Sequence, residues 1–411
     1  MTVQRRAVQQ PSLKQPPSIS LCMIVKNEAA LLPRCLNSAK AIATEMVVVD
    51  TGSSDRTVEI ARQFGAKVYD WVWQDDFAAA RNYGLQHISG DWVLVLDADE
   101  TLIADAIPAL LEAIQHPHRL VIALMRHEVG AQQNPYSLLS RLFRNHPALR
   151  FERPYHESID DSVTELIRHE PQWTVASLPQ PAISHEGYQP DAIATRQKAE
   201  RAERIMAAYF NTHPQDAYIG SKLGALYVTN GAHSKGLTLL QQSLPFGTSP
   251  AVIYELHYHL GLAYRATAAL DLAQYHYEQA LAVDYPDPLK LAAAINLSSL
   301  YADQGQWTQA QHYLEQILQQ QPNLAIAHYN LGFVYKSQGR LAEAIQAYQK
   351  AIELDPQMPT AHQNLGVVYL KMGHIDASLA AFRQAIALYE SQNSLEASRL
   401  RQTLAEMGWH L

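Results

Sequence analysis

Cysteine is nearly absent from this 411-residue chain, which has only Cys22 and Cys35. Two cysteines thirteen positions apart build neither a disulfide framework nor a zinc site. Cys22 lies inside an apolar run and reads as a small buried residue. Long apolar stretches are missing too: none approaches the ~18–20 residues that a bilayer span requires. Met1–Pro17 lacks the apolar core of a secretory signal and holds no acid, only Arg5, Arg6 and Lys14 among Gln and Pro, the composition of a disordered lead-in. Positive charge is in short supply, with 32 Lys and Arg against 40 Asp and Glu, a net charge of −8. That balance argues against nucleic acid as the main partner. These absences leave a cytoplasmic protein without a transmembrane segment as the expectation.

What is present is ample apolar material, 47% of residues, and a length that suggests two or three domains. The C-terminal half repeats itself. Tyr301, Tyr335 and Tyr369 are spaced by 34, as are Gly305, Gly339 and Gly373. The clearest unit contains Leu331, Gly332, Tyr335, Gly339, Ala344, Tyr348, Ala351 and Pro356, the tetratricopeptide pattern. Gly332 and Ala351 let two helices approach, Tyr335 and Tyr348 fill the space between them, and Gly339 permits the turn. The steps from Tyr227 to Tyr264 and from Tyr264 to Tyr301 are 37, so three extra residues are expected in each linker, at Pro245–Pro250 and Tyr285–Lys290. Five repeats and a closing helix near Leu395–Met407 follow. Asn296, Asn330 and Asn364 keep the step of 34. As a row along one groove, their amides can donate to and accept from a peptide backbone.

The N-terminal half alternates differently. Ser20–Val25, Glu45–Asp50, Lys67–Tyr69 and Trp92–Leu96 read as short buried strands, with helices at Ala29–Ile42, Thr57–Phe64 and Ala78–His87 between them. Ser54 or Asp55 is expected to cap the second helix. Strands alternating with helices predict a mostly parallel sheet covered on both faces, which binds ligands beyond the carboxyl ends of its strands. Polar clusters sit at those ends: Lys26–Glu28, Asp50–Asp55 and Asp97–Glu100. Asp97 and Asp99 leave a buried strand one residue apart, and hard carboxylate oxygens suit Mg²⁺ or Mn²⁺ bound together with substrate phosphates.

Three segments in this order, Ser20–Glu28, Val49–Thr57 and Gly90–Glu100, resemble family 2 glycosyltransferases of the type A fold, in the subgroup that carries tetratricopeptide repeats. The resemblance covers roughly residues 18–190. It implies an α/β nucleotide-sugar-binding domain followed by an all-α tetratricopeptide-repeat solenoid. The expected division is a tail at 1–17, the transferase-like domain at 18–190, a linker helix at 191–212 and the repeats at 213–411. By this resemblance Val25, Asn27, Glu28, Asp50, Ser53 and Asp55 hold the nucleotide, and Asp76, Arg81 and Asn82 line the same cleft. Arg81 is expected to pair with phosphate or with Asp76. Asp97, Ala98 and Asp99 form the motif that holds the divalent metal on the donor diphosphate, and His185 completes the metal set. An inverting transfer needs a carboxylate to take the acceptor proton. Glu157 is the candidate, with an ion pair to Arg153 or Arg144 as its structural alternative. The repeats would present a protein or peptide acceptor, dock a partner, or pair two copies of the chain. Two other readings stand beside this one. A nucleotidyltransferase would need a glycine-rich phosphate loop, which Ser20–Glu28 lacks, and a scaffold with a decayed transferase domain would not need Asp50, Asp97 and Asp99.

Overall fold

The computed structural model describes residues 16–131, 135–186, 192–392 and 394–409. Most of the expected N-terminal tail, and Gly187 and Tyr188 of the His185 segment, lie outside the described residues. The chain divides into two compact units, the first reaching Thr195 apart from a short segment at 130–135, the second starting at Arg196.

The first unit opens with β1 (Ile19–Val25), α1 (Leu32–Ala39), β2 (Glu45–Asp50), α2 (Thr57–Gln63), β3 (Lys67–Asp70), α3 (Phe77–Leu85) and β4 (Trp92–Val95). It continues through β5 (Glu100–Leu102), α4 (Ile107–Ala113), β6 (Arg119–Glu128), β7 (Tyr136–Arg144), α5 (Asp160–His169) and β8 (Thr174–His185). The eight strands form one sheet in the order β3-β2-β1-β4-β7-β6-β8-β5. Four of its seven pairings are parallel. β1, β2 and β4 are buried along nearly their whole length and are largely apolar because both faces are covered, whereas the edge strand β3 is partly exposed. Leu21, Met23, Val48 and Leu94 pack against Leu32, Leu36 and Ala39 of α1. Cys22, Val93 and Val95 pack on the opposite face with Ala78 of α3 and Val163 and Leu166 of α5. Both cysteines are buried free thiols, and burial pushes the Cys22 thiol up to about 12.

Local details differ from the sequence expectations at the helix starts. α1 begins at Leu32 rather than Ala29, with Pro33 in its first turn, where a missing N–H costs nothing. Neither Ser54 nor Asp55 caps α2. Arg56 holds that position without a side-chain bond, while the Asp55 carboxylate accepts from the Thr57 amide at 3.0 Å and from the Ala29 amide at 3.1 Å, tying two loops together.

The second unit is helical. After α6 (Ala192–Thr212) come five antiparallel pairs: α7 (Ala217–Thr229) with α8 (His233–Ser243), α9 (Pro250–Ala266) with α10 (Leu270–Ala282), α11 (Leu291–Asp303) with α12 (Trp307–Gln320), α13 (Ala325–Ser337) with α14 (Leu341–Leu354), and α15 (Pro359–Lys371) with α16 (Ile375–Ser391). α17 (Glu396–Glu406) closes the row. The two three-residue linker extensions appear as 3₁₀ turns at Leu244–Phe246 and Asp287–Leu289. A Cβ on Gly332 would lie 2.8 Å from ring carbons of the fully buried Tyr348, so only glycine lets α13 and α14 close on that ring. Gly339 has φ +77°, the left-handed turn conformation that glycine adopts without strain. Among the described residues no helix is long and apolar enough to cross a membrane.

Candidate active site

The carboxyl ends of β1 and β2 lie side by side because Val25 is in register with Asp50. The loops that follow are stitched together. Asn27, in the left-handed conformation at φ 58°, donates its amide to Ser53 Oγ at 2.9 Å and accepts the Ser54 amide on its side chain at 2.7 Å. The Glu28 amide donates to Thr57 Oγ1. Ser53, Asn27 and Asp55 therefore shape the loop pair. Val25 is buried, and its carbonyl accepts the Thr51 amide at 3.0 Å and Thr51 Oγ1 at 3.1 Å, so it shapes the strand end rather than offering a free group to a ligand. Asp50 is buried as well. Its Oδ2 accepts the Gly52 and Ser53 amides at 3.1 and 3.0 Å, and its Oδ1 has no hydrogen-bond partner among the described residues. A buried carboxylate oxygen left open costs free energy unless a ligand donor meets it.

α3 starts at the same end of the sheet. Asp76 caps it by accepting the Ala79 amide at 2.9 Å. Asn82 exchanges two 2.8 Å bonds with the Phe151 backbone and fixes the loop that carries Glu157. Arg81 turns to neither Asp76 nor solvent. It is buried, gives Nε to Glu157 Oε1 at 2.5 Å and Nη2 to Asp97 Oδ1 at 2.7 Å, and leaves Nη1 buried without a partner among the described residues. The expected partners of Glu157 are engaged elsewhere: Arg153 pairs with Asp161, and Arg144 donates to the Arg119, His116 and Pro117 carbonyls over the Trp92 and Trp173 rings.

At the end of β4 the chain runs through Asp97, the buried Ala98 and Asp99. Asp97 Oδ2 accepts from Arg141 Nη2 at 2.7 Å, so both of its oxygens face guanidiniums. Burial opposes its charge, but Arg141 and Arg81 outweigh that and hold its carboxyl well below the usual range. Asp99 turns the other way, with Oδ2 3.2 Å from Nε2 of His185. His185 Nδ1 is 2.5 Å from Glu128 Oε2. The bonds to Asp99 and Glu128 raise the imidazole to about 9 despite partial burial.

Sequence reasoning assigned no role to Arg126, Glu128, Glu100 or Arg141. Fully buried Glu100 accepts the Asp97 amide on Oε2 at 2.9 Å and Arg126 Nη1 on Oε1 at 2.7 Å, with Arg141 at 3.4 Å. The signal available was charge inside strands: Arg126, Glu128 and Arg141 interrupt apolar segments, and a buried charge needs a partner. Backbone strain also gathers here. Asn27, Asp75, Arg153 and His156 have positive φ, and all flank these loops. Such conformations cost about 1–3 kcal/mol each and cluster at functional sites.

The residues fit a divalent cation. Five carboxylates (Asp97, Asp99, Glu100, Glu128, Glu157) face three guanidiniums (Arg81, Arg126, Arg141) and the His185 imidazolium, a formal excess of one negative charge. Asp99 and His185 offer one oxygen and one nitrogen on the same side, partly open to solvent. Among the described residues no three His, Cys, Asp or Glu side chains converge as a complete donor set. Such ions commonly take one or two protein ligands and complete their shell with substrate phosphates and water.

Residues 20–175 match the profile described as Glycosyl transferase family 2, and segments between 291 and 391 match several tetratricopeptide profiles. A TPR repeat-containing protein of Synechococcus elongatus is 48% identical over 289 residues, 70% of this chain and 72% of that one. The chain belongs to the family 2 glycosyltransferases that carry tetratricopeptide repeats. An uncharacterized glycosyltransferase of Rickettsia bellii is 33% identical over 154 residues, 35% of this chain and 52% of its own length, so this chain spans about half of that relative. The solved structure of MamA from Desulfovibrio magneticus aligns with 43% of this chain and 97% of its own, at 23% identity and a TM-score of 0.37.

In this repeat-bearing transferase the asparagines of the row are engaged within the repeats, and Asn296 is buried. Asn296 Nδ2 donates to Ala292 O at 2.8 Å and its Oδ1 lies 3.5 Å from Arg265 of the preceding repeat. Asn330 donates to Ser299 at 3.2 Å, and Asn364 donates to Tyr329 at 3.2 Å and accepts from Lys336. The row thus links consecutive repeats. Carried upstream by the step of 37, it continues through His259 and Lys222, which sequence reasoning passed over although the spacing contains them. Lys222 pairs with Glu255 at 2.5 Å.

Proposed function

We propose that this glycosyltransferase moves a sugar from a nucleotide-sugar donor to an acceptor, with inversion and with a divalent cation, Mn²⁺ or Mg²⁺, on the donor diphosphate. The observation that carries the reading is the meeting of Asp99 and His185 at 3.2 Å, from positions 86 apart in sequence, beside the carboxyl end of β4. The nucleotide would lie over the β1 and β2 ends, where the open Asp50 oxygen accepts from the base or ribose. Asp99 and His185 would hold the cation, with Asp97 kept beside them by Arg81 and Arg141. The bound cation supplies Lewis acidity to the leaving diphosphate. The unpaired Nη1 of Arg81 suits a phosphate oxygen. Glu157, oriented by Arg81 Nε, takes the proton from the acceptor hydroxyl as that oxygen attacks the anomeric carbon.

In this reading the catalytic domain occupies 18–190, a linker helix 191–212 and the partner-binding repeats 213–411, in a cytoplasmic protein. The repeats dock a protein or peptide that is the acceptor or brings it. The assembled Asp99–His185 pair favours an active transferase over a scaffold with a decayed domain. A thermal-shift screen of nucleotide sugars with Mn²⁺ tests the proposal: a donor at 100 times its Kd stabilises its domain by about 2.7 kcal/mol. Equal donor binding with and without chelator would sink the cation, and a screen with no stabilising nucleotide sugar would sink the donor class.

A further inference from the structure

The chain of ion pairs behind His185 has a direction. Strand register sets it: His185 of β8 is the Cα partner of Glu100 on β5 and of Glu128 on β6, so the imidazole stands in one row between two glutamates. Glu128 is itself pinned. Its Oε1 receives Arg126 Nη2 at 2.7 Å, Arg126 Nε at 2.8 Å and Ser137 Oγ at 2.7 Å, which leaves Oε2 for His185 Nδ1. Ser137 is the register partner of Arg126 across the β6–β7 pair. Arg126 also holds Glu100, and Glu100 holds the Asp97 amide. One strand hairpin thus grips both the histidine and the backbone of the Asp97–Asp99 motif.

We propose that Glu128 is a positioning residue: it fixes the His185 ring with Nδ1 as donor, so that Nε2 stays turned to Asp99 and, once it gives up its proton, can bind the divalent cation, while Arg126 and Ser137 hold Glu128 in place. This rests on the cation reading above. The chemistry is that of a metal-bound imidazole, whose second nitrogen donates to an anchored carboxylate that sets both tautomer and ring orientation. Without Glu128 the ring would rotate about its side-chain bonds, and Asp99 alone would be left to fix it.

The test uses the full-length protein and two readouts. The first is affinity for Mn²⁺, alone and with inorganic pyrophosphate, followed by electron paramagnetic resonance of the free ion. Glu128→Leu should weaken it about 10–100-fold, the usual effect of losing such a partner. Glu128→Gln keeps an acceptor oxygen and should fall in between, which also guards against a leucine variant that folds poorly. The second readout is the His185 Nδ1–H proton in ¹⁵N-edited NMR of the metal-free protein. It should be protected from exchange in the parent and lost in Glu128→Leu. A parent that binds no Mn²⁺ overturns the cation reading. Parent-like Mn²⁺ affinity in Glu128→Leu, or an unchanged Nδ1–H signal, overturns the positioning role itself.

Discussion

In the repeat unit each helix packs on the helices next to it in sequence: α14 lies against α13 and α15, and α10 against α9 and α11. In the sheet unit β1 is flanked by β2 and β4, and β6 by β7 and β8. The difference shows in what each arrangement does with polar groups. The solenoid spreads its polar links over successive repeat junctions, as with Lys222 to Glu255, Arg265 to Asp303 and Asn330 to Ser299. The sheet gathers Arg81, Asp97, Arg141, Glu100, Arg126, Glu128, His185 and Asp99 into one continuous network at one end. Damage in the first should stay local and be felt as stability. Damage in the second should be felt as chemistry.

The largest effect that sharpens this contrast is catalytic. Glu157→Gln keeps the shape of the side chain and removes the proton acceptor, so transfer should fall by roughly 10²–10⁴-fold while donor binding persists. Near-normal transfer would move the role to another carboxylate. Hydrogen exchange in the repeats should not change. The mirror experiment is Tyr348→Ala, which empties the space between α13 and α14 and should destabilise those repeats by about 3–5 kcal/mol. Here exchange in α13–α15 should speed up while water-driven donor hydrolysis is kept. Loss of donor hydrolysis in this variant would break the separation of the two units.

Acid should divide them next. Burial lowers His259 to about 4, and burial together with the neighbouring His257 lowers His276 to about 4. The unfolded chain protonates such histidines near 6.5, so between about 6.5 and 4 it binds more protons than the fold does. Repeat stability therefore falls as pH drops through that window, by up to about 2–3 kcal/mol per histidine. In the sheet, burial works against the Glu45 carboxylate, but Lys67, Ser20 and Ser89 hold it down to about 2. Its contribution is full above about 4.5 and lost only as pH falls toward 2. Exchange measured at pH 7 and pH 5 should show α9–α10 loosening and β1–β2 unchanged, and equal loosening of both would refute the assignment. The smallest effect is Asn330→Ala, which removes one inter-repeat bond worth about 0.5–1.5 kcal/mol. If the row also holds a peptide acceptor, transfer to that acceptor drops while donor hydrolysis is unchanged. Intact transfer would restrict Asn330 to joining repeats.

By itself the sequence determined whatever depends on neighbours along the chain. The steps of 34 and 37 contained the five helix pairs, the extra residues of two linkers and the row that holds Asn296, Asn330 and Asn364, because a solenoid repeats one local packing solution. The apolar runs Met46–Val49 and Trp92–Leu96, each followed by an aspartate, contained the strands and the end of the sheet at which Asp50, Asp97 and Asp99 stand. Tertiary structure alone decided which charges meet. Arg81 pairs with Glu157 and Asp97 rather than Asp76 because α3 crosses the sheet beside the Phe151–Glu157 loop that Asn82 anchors. Glu128 reaches His185 because β6 and β8 pair in a parallel register interrupted by bulges. A one-residue slip in that register would turn either side chain to the opposite face, and no spacing along the chain encodes it.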